Sequence, residues 1–451
     1  MAENKQVAVE QKIAATSAAL AATCVGISRW TVAYSGGWDS TALLVALART
    51  RGPSSPNLRA LHVDHGLHAH SQQWADHCHK RCLALGIEFE ILKLVSPPPP
   101  GESVEAWARE QRYAALARRT TARDLILTAH HRDDQAETFL LNALRGAGPD
   151  GLQGIAALRV LGEGWLGRPC LDLSGTELRQ YCAGVGVSGV DDPGNQVLNY
   201  DRNFLRHHVL PILYKRWPSA ASTLSRVASL QRVAAENLAE RAGCILSATL
   251  YRTSDHLDLA VFAPLSPEWQ ALCLRQWILS RGHRAPSSAQ LDVMLRTVLG
   301  SRRDRLPVVE WGRSGLRRHR GCLYLYQVSP KARAFTPITW DLAGALSLPG
   351  GYLSASLVAG CGIRVDSLES NEVVVRARVG GERCRPVGSA HSQTLKRLLQ
   401  TQQIPPWERA QLPLIYVGDT LAAVADLWVC AEYAAGADEQ GWKLQWAPSS
   451  E

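Results

Sequence analysis

The pattern of apolar and polar positions divides the chain into three zones. In the first, short apolar runs alternate with segments whose apolar residues recur every three or four positions. Trp30–Tyr34, Leu58–Val63, Ile87–Val95 and Leu125–Ala129 read as strands, and Asp39–Arg49, Ser71–Leu85, Glu102–Thr121 and Asp133–Leu144 as helices, with Pro97 to Pro100 breaking the rhythm. Repeated strand–helix units imply a parallel sheet covered on both faces, whose ligands sit beyond the carboxyl ends of its strands. From Ser219, a candidate helix cap, Leu224, Val227, Leu230, Val233 and Leu238 recur at helical spacing. A strand near Leu257–Phe262 and a helix containing Trp269 to Leu279 follow. After Tyr326 the chain is strand-like and Gly-rich, with Glu372–Val379 alternating and Leu395–Gln402 helical. The expected fold is α/β. It has an N-terminal parallel-sheet domain over 1–215, a mostly helical middle domain over 216–330 and a small α+β domain over 331–451.

Composition narrows the class. With 451 residues, 46% hydrophobic and 20% charged, the chain has material for several packed cores and needs no disulfide staples. Eleven cysteines, an odd count with only Cys78 and Cys82 close together, point to a reducing compartment and hence the cytoplasm. Residues 13–22 are apolar and small, but Glu3, Lys5, Glu10 and Lys12 precede them, so an N-terminal helix is expected and not a signal peptide. No run reaches the ~20 apolar residues of a membrane span. Forty-nine Lys+Arg against 41 Asp+Glu give +8, which suits a polyanionic partner without requiring one.

The sharpest motif is Ser35-Gly36-Gly37-Trp38-Asp39-Ser40, between an apolar strand and a helix start. By average residue frequencies, it should arise by chance in on the order of one in a thousand chains of this length. Two glycines let backbone amides approach a phosphate, two serine hydroxyls can donate to it, and the helix offers its positive end. No Lys-[Ser/Thr] pair follows the glycines, so this is not the loop that grips a γ-phosphate for transfer. The segment resembles the PP-loop of the ATP pyrophosphatases, which implies that ATP, with Mg2+, adenylates a substrate oxygen and loses pyrophosphate. On that resemblance Ser35, Gly36, Gly37, Trp38, Asp39 and Ser40 hold the nucleotide. Asp39 also organises magnesium or the phosphates.

Further motifs narrow the family. His62-Val63-Asp64-His65-Gly66-Leu67, Glu105 to Tyr113, His130 to Thr138, Leu144 to Gly148, Asp192-Pro193-Gly194-Asn195, and Tyr200 to Arg206 are similar to those of the tRNA(Ile)-lysidine synthases. So are Arg385-Pro386, Thr394 to Leu399, Ile404 to Arg409, and Pro413-Leu414-Ile415. Leu250 to Val373 matches only in general character. Trp38 is large for its loop position, Cys170 stands where the family usually has Leu, and Gly194 replaces a common Ser or Thr.

The resemblance implies ligation of free L-lysine to the wobble cytidine of the CAU anticodon of tRNA(Ile), through an adenylated cytidine. Decoding then shifts from AUG to AUA. A lysine amine, with an ordinary pKa near 10.4, needs desolvation or a base before it attacks. Asp134 and Glu137, three apart on a helix start, are the candidates for holding the ammonium and taking its proton. The alternative is an acidic first turn that complements the helix dipole. Asp64 and His65 are placed near the nucleotide. Arg109 and Arg112, at i and i+3, are candidates for stabilising phosphate or the adenylated base.

Arg202 and Arg206 are expected at the site mouth or on RNA. Arg317 and Arg318, within the Arg302–Arg320 basic cluster, and Lys396 and Arg397 are expected to meet tRNA phosphates. The histidines from His62 to His79 match no metal-ligand spacing, so no resident metal is expected. The nearest rival is a PP-loop enzyme that thiolates tRNA. It needs a cysteine pair or an iron–sulfur site, and no C-x-x-C occurs. Monomer and homodimer both stay open.

Overall fold

A computed structural model describes all residues except 1, 54, 67–69, 95–103, 192, 199, 251–255, 301–306, 329–334, 369–371, 403 and 449–451. Pro97 to Pro100, Glu102, His68, Asp192 and the arginines at 302, 303 and 305 therefore lie outside the described residues. The chain forms two compact units, Met1–Leu238 and Ala239–Glu451.

The first unit is built on a six-stranded sheet. Its strands are β1 (Arg29–Ala33), β2 (Asn57–Asp64), β3 (Glu88–Lys93), β4 (Asp124–Leu127), β5 (Leu158–Leu161) and β6 (Gly164–Gly167), in the order β3-β2-β1-β4-β6-β5. All neighbours pair parallel except β5 with β6. The expected parallel sheet thus carries one antiparallel edge. Two four-residue strands joined by a tight turn are too short to show a period, which is why sequence patterning missed them.

Helices α1 (Ala2–Ala22), α2 (Trp38–Thr50), α3 (Ser71–Ala84), α4 (Val104–Arg118) and α5 (Arg132–Leu144) accompany the sheet. The helix expected over 13–22 begins at Ala2 and seats Ile13 in the core. Val32, Leu43, Leu44, Leu125 and Leu127 are fully buried between the layers, each contributing about 1.5–3 kcal/mol over exposure.

Strand order reverses at β1, with β2 and β3 on one side and β4 on the other. The crevice between the carboxyl ends of β1 and β4 is therefore the ligand position of the fold. The opposite ends are pinned by charge. Asp124, fully buried, accepts from Arg29 Nη2 at 2.7 Å and from the Thr121 hydroxyl and N–H at 2.7 and 2.8 Å.

In the second unit the strand expected over Leu257–Phe262 shrinks to Leu257–Asp258. Asp258 accepts from Ala260 N–H at 2.8 Å and caps a helical turn, Leu259–Phe262. This turn, the helices Pro267–Ser280 and Ser288–Gly300 and a four-stranded antiparallel sheet enclose Phe262, Trp277, Met294, Leu316 and Leu323. Beyond it lie five- and four-stranded sheets, with the expected helix at Leu395–Thr401. No helix among the described residues is long and apolar enough to cross a membrane.

Candidate active site

The loop after β1 is shaped by backbone demands. Gly36 has φ +86°, and a Cβ there would lie 2.8 Å from Cys78 Sγ on α3, so only glycine fits without strain. Gly37 caps α2 without a side-chain hydrogen bond, which leaves the first amides of the helix for an anion. Ser35 and Ser40 hydroxyls are 3.0 Å apart, and Ser40 also donates to Gly37 O at 3.1 Å. Val190 N–H donates to Gly36 O at 2.8 Å, fixing the loop from outside the motif. The bulky Trp38 points its indole N–H at Asp191, 2.9 Å away. These features fit a phosphate chain, and Asp39, about two-fifths exposed, retains room for a cation carried by one.

The segment after β4 supplies the other wall. His131 is buried and lies 3.6 Å from Asp39, 3.5 Å from Asp133 and 3.6 Å from Asp134. Burial opposes its protonation, but the close carboxylate of Asp39 and the charges of Asp134 and Asp133 prevail and push its pKa up to about 9. An imidazolium thus ties the loop after β1 to the helix after β4. The motif contained His131, but nothing in sequence spacing pairs position 39 with 131. Its neighbour His130 is held neutral, with a pKa down to about 3, by burial against the partial relief of Asp134, and by Arg168, Arg202 and Arg109.

Asp134 and Glu137 do share a face, and both are buried. They are already engaged. Glu137 accepts from Arg202 Nε at 2.7 Å and from Arg206 Nε and Nη2 at 2.6 and 3.0 Å. Asp134 accepts from Arg202 and Arg206 Nη2 at 3.1 and 3.2 Å and from His131 N–H at 2.9 Å. Although burial would raise the Asp134 pKa, His131 and Arg202 draw it down to about 2. Two carboxylates and two guanidiniums form a closed, neutral square, so a substrate ammonium must share or displace a guanidinium. Arg202 and Arg206, expected at the mouth, are the square's cationic half.

Arg112 is half-buried on α4, its Nε buried and without a hydrogen-bond partner among the described residues, and burial lowers its pKa. Arg109 is exposed, its guanidinium 5.4 Å from the Tyr113 ring. Asp64 accepts from Gly66 N–H at 2.9 Å, shaping the turn after β2, and His65 is half-buried beside it. Among the described residues, no group of three or more His, Cys, Asp or Glu is placed to hold a metal.

Residues 6–213 match the family model of the PP-loop domain, 257–324 that of the TilS substrate binding domain and 373–446 that of the TilS substrate C-terminal domain. The tRNA(Ile)-lysidine synthase of Coxiella burnetii is 38% identical over 428 residues, covering 94% of this chain and 95% of that one. The chain belongs to the tRNA(Ile)-lysidine synthase family. The synthase of Xanthomonas campestris is 40% identical over 416 residues, 92% of this chain and 94% of that one. A tRNA thiolase of Methanococcus maripaludis overlays at a TM-score of 0.44 with 18% identity, over 51% of this chain and 80% of its own.

Within this lysidine synthase family member the two basic sets differ. Arg317 is half-buried, its guanidinium 3.5 Å from the Tyr326 ring and 4.1 Å from the Trp407 ring. Arg318, also half-buried, donates from Nη1 to Val298 O at 3.0 Å. Stacked rings take the Arg317 guanidinium plane. Lys396 and Arg397 are exposed on the helix Leu395–Thr401.

Proposed function

We propose that this chain ligates free L-lysine to the wobble cytidine of the CAU anticodon of tRNA(Ile), with ATP converted to AMP and pyrophosphate, and so changes decoding from AUG to AUA. The observation that carries the reading is the His131 bridge. It sets the uncapped glycine loop and the Asp134–Glu137 pair side by side at the strand-order reversal. A nucleotide phosphate and an amine then meet at one place. Adenylating ATP chemistry, with magnesium on the phosphates, supplies an activated cytidine carbonyl carbon.

The chain's own residues do the rest. Ser35, Gly36, Gly37, Trp38, Asp39 and Ser40 hold the triphosphate, with Asp64 and His65 toward the nucleoside. Arg109 and Arg112 offset charge on the α-phosphate and the adenylated base. Asp134 and Glu137 receive the lysine ammonium by exchanging guanidinium contacts, and either carboxylate can pass its proton to water. Lys396 and Arg397, with Arg317 against its rings and Arg318 beside it, belong to the tRNA-binding part of the chain, which we divide as 216–330 and 331–451. Monomer or dimer, the reading is the same. The cytoplasm is the compartment in which the substrate tRNA and ATP meet.

Thiolation is disfavoured by the cysteines. Cys78 and Cys82 lie on one helix, and burial pushes both thiols up to about 12, so neither is a ready nucleophile. The test is incorporation of labelled lysine into unmodified CAU-anticodon isoleucine tRNA, with and without ATP, beside the elongator methionine tRNA. Label on the isoleucine tRNA alone, dependent on ATP, is expected. Pyrophosphate release without label would overturn lysine as the nucleophile, and neither signal would overturn the ligase.

A further inference from the structure

Far from the nucleotide crevice, two cysteines of the second unit meet. Cys384 lies in the strand Arg383–Cys384, and Cys430 directly follows the strand Trp428–Val429. They are 46 positions apart, yet their sulfurs share one S–H···S contact at 2.8 Å. Both are almost fully buried, at 2% and 5% exposure. Their surroundings are apolar: Leu395, Leu398, Leu399, Leu412, Leu414, Leu421 and Val424 pack in the same cluster.

The backbone on either side is fixed by hydrogen bonds. Cys430 N–H donates to Ala422 O at 2.8 Å, Ala431 N–H donates to Arg385 O at 2.8 Å, and Pro386 bridges Cys430 antiparallel. The strand carrying Cys384 is itself paired with Gln393–Thr394, which leads straight into the helix bearing Lys396 and Arg397. Two thiols held this close by secondary structure on both sides are within side-chain reach of a bond.

We propose that Cys384 and Cys430 form a reversible intramolecular disulfide, with a small hydroperoxide as oxidant, which staples the strand Arg383–Cys384 to the end of the edge strand Trp428–Val429 of the five-stranded sheet. The chemistry balances in two displacements. The sulfur of Cys430, as thiolate, attacks one peroxide oxygen. The O–O bond breaks, the departing oxide takes a proton and leaves as alcohol or water, and Cys430 becomes a sulfenic acid. Cys384, giving up its proton, attacks that sulfur and releases water. Two thiols and one hydroperoxide thus yield one disulfide, one alcohol and one water.

The order of attack follows the local fields. Cys384 is raised by its hydrogen bond to Cys430 and by burial, while Cys430 is lowered by the same hydrogen bond and, against burial, by the Arg385 N–H. Burial excludes bulky oxidants and selects the small ones.

The full chain should be exposed to hydrogen peroxide, alkylated, digested and mapped by mass. A parallel sample is equilibrated in glutathione buffers of graded potential, with and without a sub-denaturing dose of urea that opens the unit transiently. A peptide pair linking Cys384 to Cys430 and lighter by two hydrogens is expected, reversed by dithiothreitol and absent in Cys384→Ser and Cys430→Ser. Alkylation of both residues equal to the reduced control in every buffer would overturn the proposal, as would a bridge from either to another of the eleven cysteines. Because this readout is chemical, it is independent of whether the lysine ligation test succeeds.

Discussion

Asp39 stands where two demands meet. It lies in the first turn of α2, beside amides an anion would take, and its carboxylate is held by buried His131. Asp39→Ala should lower tRNA-dependent pyrophosphate release by roughly 10²-fold or more while leaving the melting temperature within a few degrees. Retained AMP formation with normal lysine incorporation would remove Asp39 from the reaction. Glu137 is different, because it is wholly buried and carries three guanidinium contacts. Glu137→Gln leaves two arginines short of a counter-charge and should cost about 3 kcal/mol of unfolding free energy, read from urea denaturation. At the same time the KM for lysine should rise more than that for ATP. Equal rises would contradict a lysine-holding role for this carboxylate.

At the level of elements, the sheet does two jobs at its two ends. Its carboxyl ends gather loops for chemistry, while its amino ends are locked by Asp124 against Arg29 and Thr121. Burial alone would raise the Asp124 pKa, but Arg29 and Thr121 outweigh it and hold it at about 2. A depressed carboxyl pKa stabilises the fold above its unfolded value of roughly 3.9, and the contribution fades as pH falls through about 2. Asp124→Asn should therefore reduce stability at neutral pH and flatten the acid limb of the unfolding profile between about pH 4 and 2. An acid limb identical to the parent's would show that the Arg29 pair does not govern it.

On the scale of the whole molecule, +8 is spread unevenly in accessibility. Arg317 and Arg318 spend their charge on rings and a carbonyl, whereas Lys396 and Arg397 face solvent. Lys396→Glu with Arg397→Glu should weaken tRNA binding and lower its salt slope by about one unit per lost phosphate contact. The measurement is binding affinity across a salt series. An unchanged slope would mean that this helix face meets no phosphate.

Much of this was written in local sequence. The βα alternation, the glycine loop between strand and helix, the acidic pair at i and i+3, and the helix at Leu395 all follow from periods and turn chemistry that act over a few residues. Local signals reach no further. That Asp39 faces His131, that Trp38 meets Asp191, that Arg202 and Arg206 close on Asp134 and Glu137, and that Cys384 touches Cys430 depend on chain segments 46 to 153 positions apart. Short strands β5 and β6 escaped notice because a neighbour, not a period, makes them strands. Local sequence carries the glycine loop, the acidic pair and the family's motifs. Only tertiary structure decided which charges are spent on one another, because burial and pairing are properties of the assembled sheet and not of any stretch of chain.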